Sequence, residues 1–193
     1  MTNSISALLT RKEIITSRLA VSIIGISAFV LFTWLGAYAR IPLRFTPVPI
    51  TLQTFFVFLS GAILGRKLGS ISQAAYIVLG AIGLPFFVMG SFGIAYMAGP
   101  TGGYLLGFVL ASYIIGNLLK DRESLAAIIF AFTIGAAAIL LSGGAWLAFG
   151  LRLGVKAGFL LGVLPFIPGC ALKIVAASII TKKYIKRSKA LFY

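Results

Sequence analysis

The sequence predicts an all-α integral membrane protein, a six-transmembrane-helix bundle with both termini in the cytoplasm. The chain of 193 residues is 60% hydrophobic, and its mean hydropathy is +1.09. Only 10% of its residues are charged, whereas a soluble domain carries about a quarter. Its apolar segments also recur at lengths close to those that cross a bilayer. The length therefore predicts one membrane domain, 1–193, without an attached soluble domain.

The six predicted spans follow one another with short connections. In chain order they are about 19–39, 49–65, 69–84, 100–119, 124–149 and 163–182. The first contains "AYA" near its end, but its apolar run exceeds the ~7–15 residues of a signal-peptide core, so we interpret it as a helix. Segment 85–99 is rich in glycine and aromatic residues. We expect it to form a folded loop against the bundle, because non-helical backbone at membrane depth must be buried in protein or line a cavity.

Basic residues lie mainly on one side of these spans. By the positive-inside rule this side is cytoplasmic, which puts both termini there and predicts a multi-pass protein of the cytoplasmic (inner) membrane. The three acidic residues, Glu13, Asp121 and Glu123, fall on the same side. We interpret the net charge of +14 as topology plus contact with membrane lipids, and expect no nucleic-acid partner. The twelve basic residues of that side are Arg11, Lys12, Arg18, Arg66, Lys67, Lys120, Arg122, Lys182, Lys183, Lys186, Arg187 and Lys189.

The composition excludes most enzyme chemistry. The chain has no histidine, no acidic residue within a predicted span and one cysteine, Cys170. Zinc sites, carboxylate pairs and Ser–His–Asp arrangements therefore lack their parts, and no GxxxxGK[ST] motif is present for ATP. We expect no enzyme activity, no catalytic residue, no metal site and no cofactor. Energy for transport would come from a partner protein or a gradient.

The connection between the first two spans, "RIPLRFTPVPITLQT" at 40–54, contains Pro42, Pro47 and Pro49. Proline fixes φ and pushes the preceding residue toward extended backbone. We therefore predict a stiff, extended strap over 40–49. This strap, which carries Arg44, is either a lid over an outward-facing pocket or a plain connector.

The segment "MAGPTGGYLLGF", 97–108, begins the fourth span. A helix start with small residues leaves backbone N–H groups open to an anion or a carbonyl oxygen, which makes Gly102 and Gly103 candidate binding residues. Thr101 and Tyr104 add hydroxyl groups beside them. The alternative is close helix packing through the glycines, which is common in membranes.

The last span, in "LPFIPGCALKIVAAS", contains Lys173 about five residues, or ~7 Å, from its outer end, with Cys170 on the same helix face. A lysine exposed to lipid is costly unless it reaches the interface, so Lys173 either snorkels or faces a cavity. In a cavity without a carboxylate its counter-charge would be an anionic ligand. Gln53, beside Thr51 at the start of the second span, likewise needs partners from another helix or from a ligand.

Four motifs in order resemble the BioY family, the biotin-binding S-components of energy-coupling-factor (ECF) vitamin transporters. They are "PVPITLQT" (47–54), "LGAIGLP" (79–85), "GPTGGYLLGF" (99–108) and "LPFIPGCALK" (164–173), and the resemblance covers roughly 35–185. It implies six helices and a biotin pocket near the outer face, covered by the loop between helices 1 and 2. Many such proteins dock onto a transmembrane T-component with two ATPase subunits.

Two positions depart from the family. Its members typically have P-G-D-x-x-K in helix 6, whereas here Cys170 replaces the aspartate and Lys173 is kept. A thiol hydrogen-bonds weakly and cannot pair with a lysine as a carboxylate does. S-components also usually carry an Ala-x-x-x-Ala seam on helix 1 for the T-component. In its place the first span has Ser22, Gly25, Ala28, Thr33 and Ala37.

On this resemblance we expect high-affinity biotin binding and uptake as an ECF S-component. Two alternatives remain open: a binder of another small carboxylated metabolite, favoured by Cys170, and a membrane assembly protein without a ligand. The expected substrate-binding residues are Lys173, Cys170, Tyr104, Gly102, Gly103, Thr101, Gln53, Thr51 and Arg44.

Overall fold

Helices make up nearly all of the ordered chain. The structure is a computed structural model that describes the backbone of residues 2–192 and the side chains of residues 18–192. Two two-residue strands, β1 (Arg40–Ile41) and β2 (Ile50–Thr51), pair antiparallel between the first two helices. The helices are α1 (Thr2–Tyr38), α2 (Gln53–Ala81), α3 (Ile94–Met97), α4 (Gly102–Leu118), α5 (Leu125–Ala145), α6 (Val155–Gly162) and α7 (Ile167–Phe192).

Four helical stretches are long and apolar enough to cross a membrane. They are Arg18–Tyr38, Gln53–Ala81, Leu125–Gly150 and Val155–Phe192, with Gly102–Leu118 as a shorter apolar helix. Large apolar side chains such as Ile24 and Leu172 lie on the outside of the bundle. An exterior of this kind suits a lipid environment, and the protein is a multi-pass membrane protein.

Helix α2 reverses direction at Gly65, whose φ of 79° and ψ of 177° are not helical. Gln53 Nε2 donates to the hydroxyl oxygen of Tyr76 at 2.7 Å, although a straight helix would hold these residues about 35 Å apart. The two arms of α2, 53–64 and 66–81, are therefore antiparallel. They occupy the region of the second and third predicted spans.

The strap between α1 and α2 is bounded by a pair of short strands that the sequence did not predict. The pairing of β1 with β2 makes 40–51 a short β-hairpin, so the fold is not purely α-helical. Helix α2 begins at Gln53 rather than near residue 49, because Ile50 and Thr51 belong to the hairpin.

Segment 150–162, predicted as a connection, contains the separate helix α6. Helix α5 gives way to a π-helical turn at Trp146–Gly150, and the chain then turns through positive φ angles at Arg152 and Gly154. A 3₁₀ turn, Leu164–Phe166, leads from α6 into α7. Helix α6 has eight residues, with two glycines and one lysine among apolar side chains, and so short a segment carries too little periodicity to predict a helix.

The interior holds a polar network as well as apolar contacts. Gln73 Nε2 donates to Ser60 Oγ at 3.1 Å, and Ser60 Oγ lies 3.0 Å from Ser112 Oγ. Thr33 of α1 donates to Gln73 Oε1 at 3.3 Å. These bonds join α1, both arms of α2 and α4, and satisfy polar groups that would otherwise be costly to bury.

Several basic residues lie at the end of the bundle where α4 connects to α5. Lys189 Nζ lies 3.5 Å from Glu123 Oε1, and Lys182 Nζ donates to the Glu123 carbonyl at 2.9 Å. The end of α7 is thus attached to the α4–α5 connection. Three residues of the predicted charge pattern, Arg11, Lys12 and Glu13, lie outside the described side chains.

Candidate functional site

A cavity lies at the other end of the bundle, under the strap and between α2, α4, α5 and α7. Its empty space is about 570 Å³, including the part open to the outside. Its polar lining residues are Thr51, Gln53, Thr54, Tyr76, Tyr96, Thr101, Tyr104, Cys170 and Lys173. Apolar residues of the strap and helices complete the wall: Val48, Phe87, Leu105, Phe108, Ile139, Leu140 and Phe166.

Lys173 is the one charged residue among the cavity-lining residues within the described part of the chain. Its Nζ donates to Thr54 Oγ1 at 2.8 Å. A lysine ammonium has three N–H donors, so two remain for other acceptors. No carboxylate lines the described cavity, so an anionic group of a ligand would be the natural counter-charge for this ammonium.

Gln53 obtains its partners from the protein. Its Oε1 accepts from Thr51 Oγ1 at 3.1 Å, and its Nε2 donates to the Tyr76 hydroxyl. Tyr76 donates in turn to the Phe86 carbonyl at 2.9 Å. This chain of hydrogen bonds ties the base of the strap to the second arm of α2. It leaves one N–H of the amide for a ligand.

Tyr104 joins α4 to the end of α6. Its hydroxyl donates to the Gly162 carbonyl at 2.6 Å, and its ring lies 5.9 Å from the ring of Phe166. Because the hydroxyl hydrogen is already used, Tyr104 can serve a ligand only as an acceptor. Thr101, one turn earlier, also lines the cavity.

Gly102 and Gly103 are not among the residues that line the cavity. The Gly102 N–H bonds to the Gly99 carbonyl at 3.2 Å, and α4 begins at Gly102 instead of the predicted residue 100. A Cβ at Gly103 would lie 2.6 Å from the Ser142 carbonyl oxygen of α5. Both glycines permit close packing beside Trp146, the alternative that the sequence left open.

The strap closes one side of the cavity. Val48 and Pro49 line it, and Thr46 Oγ1 donates to the Leu161 carbonyl at 2.7 Å. This bond links the strap to α6. Arg44 is exposed on the strap and does not line the cavity, so the structure does not bring it together with Lys173.

Several lining residues were not predicted as site residues. Phe87 and Tyr96, from the loop between α2 and α4, stack with ring centroids 4.9 Å apart. Burial raises the pKa of the Tyr96 phenol above its ordinary value, so it stays protonated at neutral pH. Thr54 could have been predicted as a site residue, because it belongs to the motif "PVPITLQT". Phe87 and Tyr96 could not, because an aromatic residue in an apolar segment usually belongs to the core.

Known proteins resemble this chain over most of its length. The profile of the BioY family matches residues 6–190. The chain is 40% identical over 151 residues to the "Biotin transporter BioY" of Thermotoga maritima, covering 78% of this chain and 88% of that protein. It is 41% identical over 158 residues to the "Probable biotin transporter BioY" of Pyrococcus horikoshii, covering 82% and 92%.

A solved structure has the same fold. It is the crystal structure of the S-component for biotin from an ECF-type ABC transporter, with a TM-score of 0.78 and 28% identity. The match covers 86% of this chain and 90% of that one. With the family profile matching nearly the whole chain, the protein belongs to the BioY family.

Proposed function

We propose that this protein binds biotin in the cavity beneath the strap and takes it up across the cytoplasmic membrane as the S-component of an ECF-type transporter. The observation that carries the proposal is that Lys173 is the single cation among the described lining residues of a largely apolar cavity. Biotin carries one carboxylate and an apolar body, which such a cavity complements. The relatives named as biotin transporters favour this function over another metabolite or an assembly role.

In the proposed complex the biotin carboxylate accepts hydrogen bonds from the free N–H groups of Lys173. The ureido group would be held by hydroxyl and amide groups, with Thr101, Tyr104 and Gln53 as candidates. Cys170 would lie against the ligand as a small apolar wall, because a thiol is only a weak hydrogen-bonding group. The strap would cover the bound vitamin.

The membrane arrangement we propose has six crossings. They are α1, the two arms of α2, α4, α5 and α7, with both termini cytoplasmic as the charge distribution favours. The partners would be a transmembrane T-component and two ATPase subunits, because an ATP-driven step needs a nucleotide site that the sequence motifs do not supply.

The proposed function is tested by titrating biotin into purified, detergent-solubilised protein in a calorimeter. We expect saturable one-to-one binding and a rise in melting temperature with biotin concentration, because a ligand that binds only the folded state stabilises it. Biotin methyl ester serves as the control for the carboxylate. Absence of heat and of stabilisation at millimolar biotin would contradict the proposal.

Thr54 is expected to hold Lys173 in position. Replacing it with valine removes the acceptor at 2.8 Å from Nζ while keeping the side-chain volume. Because hydrogen bonds to charged groups contribute ~1.5–3 kcal/mol, biotin affinity should fall by roughly tenfold or more. Thr54→Ser keeps the hydroxyl and should restore most of the affinity in the same titration. Equal losses in both variants would show that the methyl group matters and not the hydrogen bond.

Cys170 gives a direct test of where biotin lies. It is the single cysteine of the chain, is buried and lines the cavity. We expect saturating biotin to slow its alkylation by N-ethylmaleimide several-fold, measured by intact-protein mass spectrometry. Pantothenate, another carboxylated vitamin, is the control ligand. An alkylation rate that biotin leaves unchanged would place the ligand elsewhere.

A further inference from the structure

A second pocket lies at the far end of the bundle from the biotin cavity. It is formed where α2 reverses, where α4 ends and where α7 ends. Thr101 at the cavity and Lys120 at this pocket are separated by the length of α4, about 28 Å at 1.5 Å per residue. The two sites are therefore distinct.

Three cations line this second pocket, Arg66, Lys67 and Lys120, together with one carboxylate, Asp121. Among residues 18–192 the one ion pair joins Lys189 to Glu123, so none of the three cations is neutralised by a described side chain. Arg66 Nη1 donates to Asn117 Oδ1 at 3.1 Å, which fixes the guanidinium and leaves its other N–H groups available. The excess of positive charge calls for an anionic occupant.

The rest of the pocket wall is apolar. Leu64, Leu68 and Phe192 line it. A Cβ atom added at Gly25 would lie 2.8 Å from side-chain atoms of both Leu64 and Phe192. Helices α1, α2 and α7 therefore converge there. A soluble anion would leave this apolar surface unused, whereas a phospholipid carries its phosphate next to apolar chains. The pocket also lies where α4 and α7 end, and the ends of membrane-spanning helices are where lipid headgroups would meet the protein.

We propose that this pocket binds the headgroup of an anionic phospholipid. The phosphodiester would be held by Arg66, Lys67 and Lys120, and the first carbons of an acyl chain would pack on Leu68 and Phe192, the partly exposed apolar residues of the wall. The site depends on insertion in a membrane and not on biotin binding. It would fix the reversal of α2 at Gly65 against the ends of α4 and α7.

The test compares lipid retention by the purified protein in native mass spectrometry. The probes are phosphatidylglycerol and phosphatidylcholine with identical acyl chains, and inorganic phosphate. We expect phosphatidylglycerol to be retained in preference to phosphatidylcholine, at one molecule per protein. The triple substitution Arg66→Gln, Lys67→Gln and Lys120→Gln should lower its apparent affinity roughly 100-fold, at about fivefold per cation.

The matched control is Arg152→Gln with Lys156→Gln, two exposed cations of which the first lies in the α5–α6 connection and the second in the first turn of α6. This control variant should retain phosphatidylglycerol as the unaltered protein does. Unchanged biotin binding by the triple variant would show that the triple variant is folded. Equal retention of both lipids, or equal losses in the triple variant and the control, would overturn the proposal. Inorganic phosphate that binds alone and fully displaces the lipid would assign the pocket to free phosphate instead.

Discussion

Replacing Lys173 by alanine is expected to lower biotin affinity ~10–100-fold or more, since a hydrogen bond to a charged group contributes ~1.5–3 kcal/mol and Lys173 has two N–H groups to offer. Removing it leaves a carboxylate in a cavity whose remaining described lining has no positive charge. Burying an unpaired charge is strongly unfavourable. Calorimetric titration of biotin at neutral pH measures the effect.

Lys156→Ala is the matched control, because Lys156 is exposed and does not line the cavity. It should bind biotin with unchanged affinity. Biotin methyl ester should bind the unaltered protein about as weakly as biotin binds Lys173→Ala. If Lys173→Ala weakens biotin and its ester equally, Lys173 acts on another part of the ligand and not on the carboxylate.

The second large effect is expected at Gly65. Its φ of 79° and ψ of 177° lie in a region open essentially to glycine, where another residue costs ~1–3 kcal/mol. Gly65→Ala should therefore destabilise the reversal between the two arms of α2. We expect the melting temperature of the purified protein to fall by several degrees, since 1 kcal/mol corresponds to ~2–4 °C in a chain of this size.

Gly169→Ala is the control for this prediction. Gly169 lies in α7, and a Cβ there would make ordinary contact with Ile50 Cγ2 at 3.6 Å. Because alanine favours helix over glycine by ~0.8–1 kcal/mol, this variant should be as stable as the original or more so. A melting temperature for Gly65→Ala as high as that of Gly169→Ala would mean that the reversal tolerates a side chain.

The fold class and the family of the protein could be predicted from the sequence, without knowledge of any tertiary contact. Composition and the recurrence of apolar segments predicted a helical membrane protein, and the structure confirms a nearly all-helical chain with long apolar helices. Four motifs predicted the BioY family, which the family profile confirms. Both inferences rest on features that are local in sequence, and local features need no knowledge of packing.

The candidate site was predicted unevenly. Lys173 and Cys170 share a helix face, so one turn of α7 was enough to place them together at the cavity. Gly102, Gly103 and Arg44 looked equally suitable from their residue types. The two glycines pack near a carbonyl of α5, and the path of the strap leaves Arg44 outside the cavity lining. Neither contact can be predicted from the residues next to them in sequence.

Long-range contacts therefore decide which polar groups can reach a ligand. Thr54 meets Lys173 across 119 positions, Tyr104 meets Gly162 across 58, and Thr46 meets Leu161 across 115. Side-chain chemistry predicts which groups need a partner, because buried polar groups must be hydrogen-bonded. Which partner each one finds is a matter of how the helices pack, since many arrangements of the same helices satisfy the same local preferences.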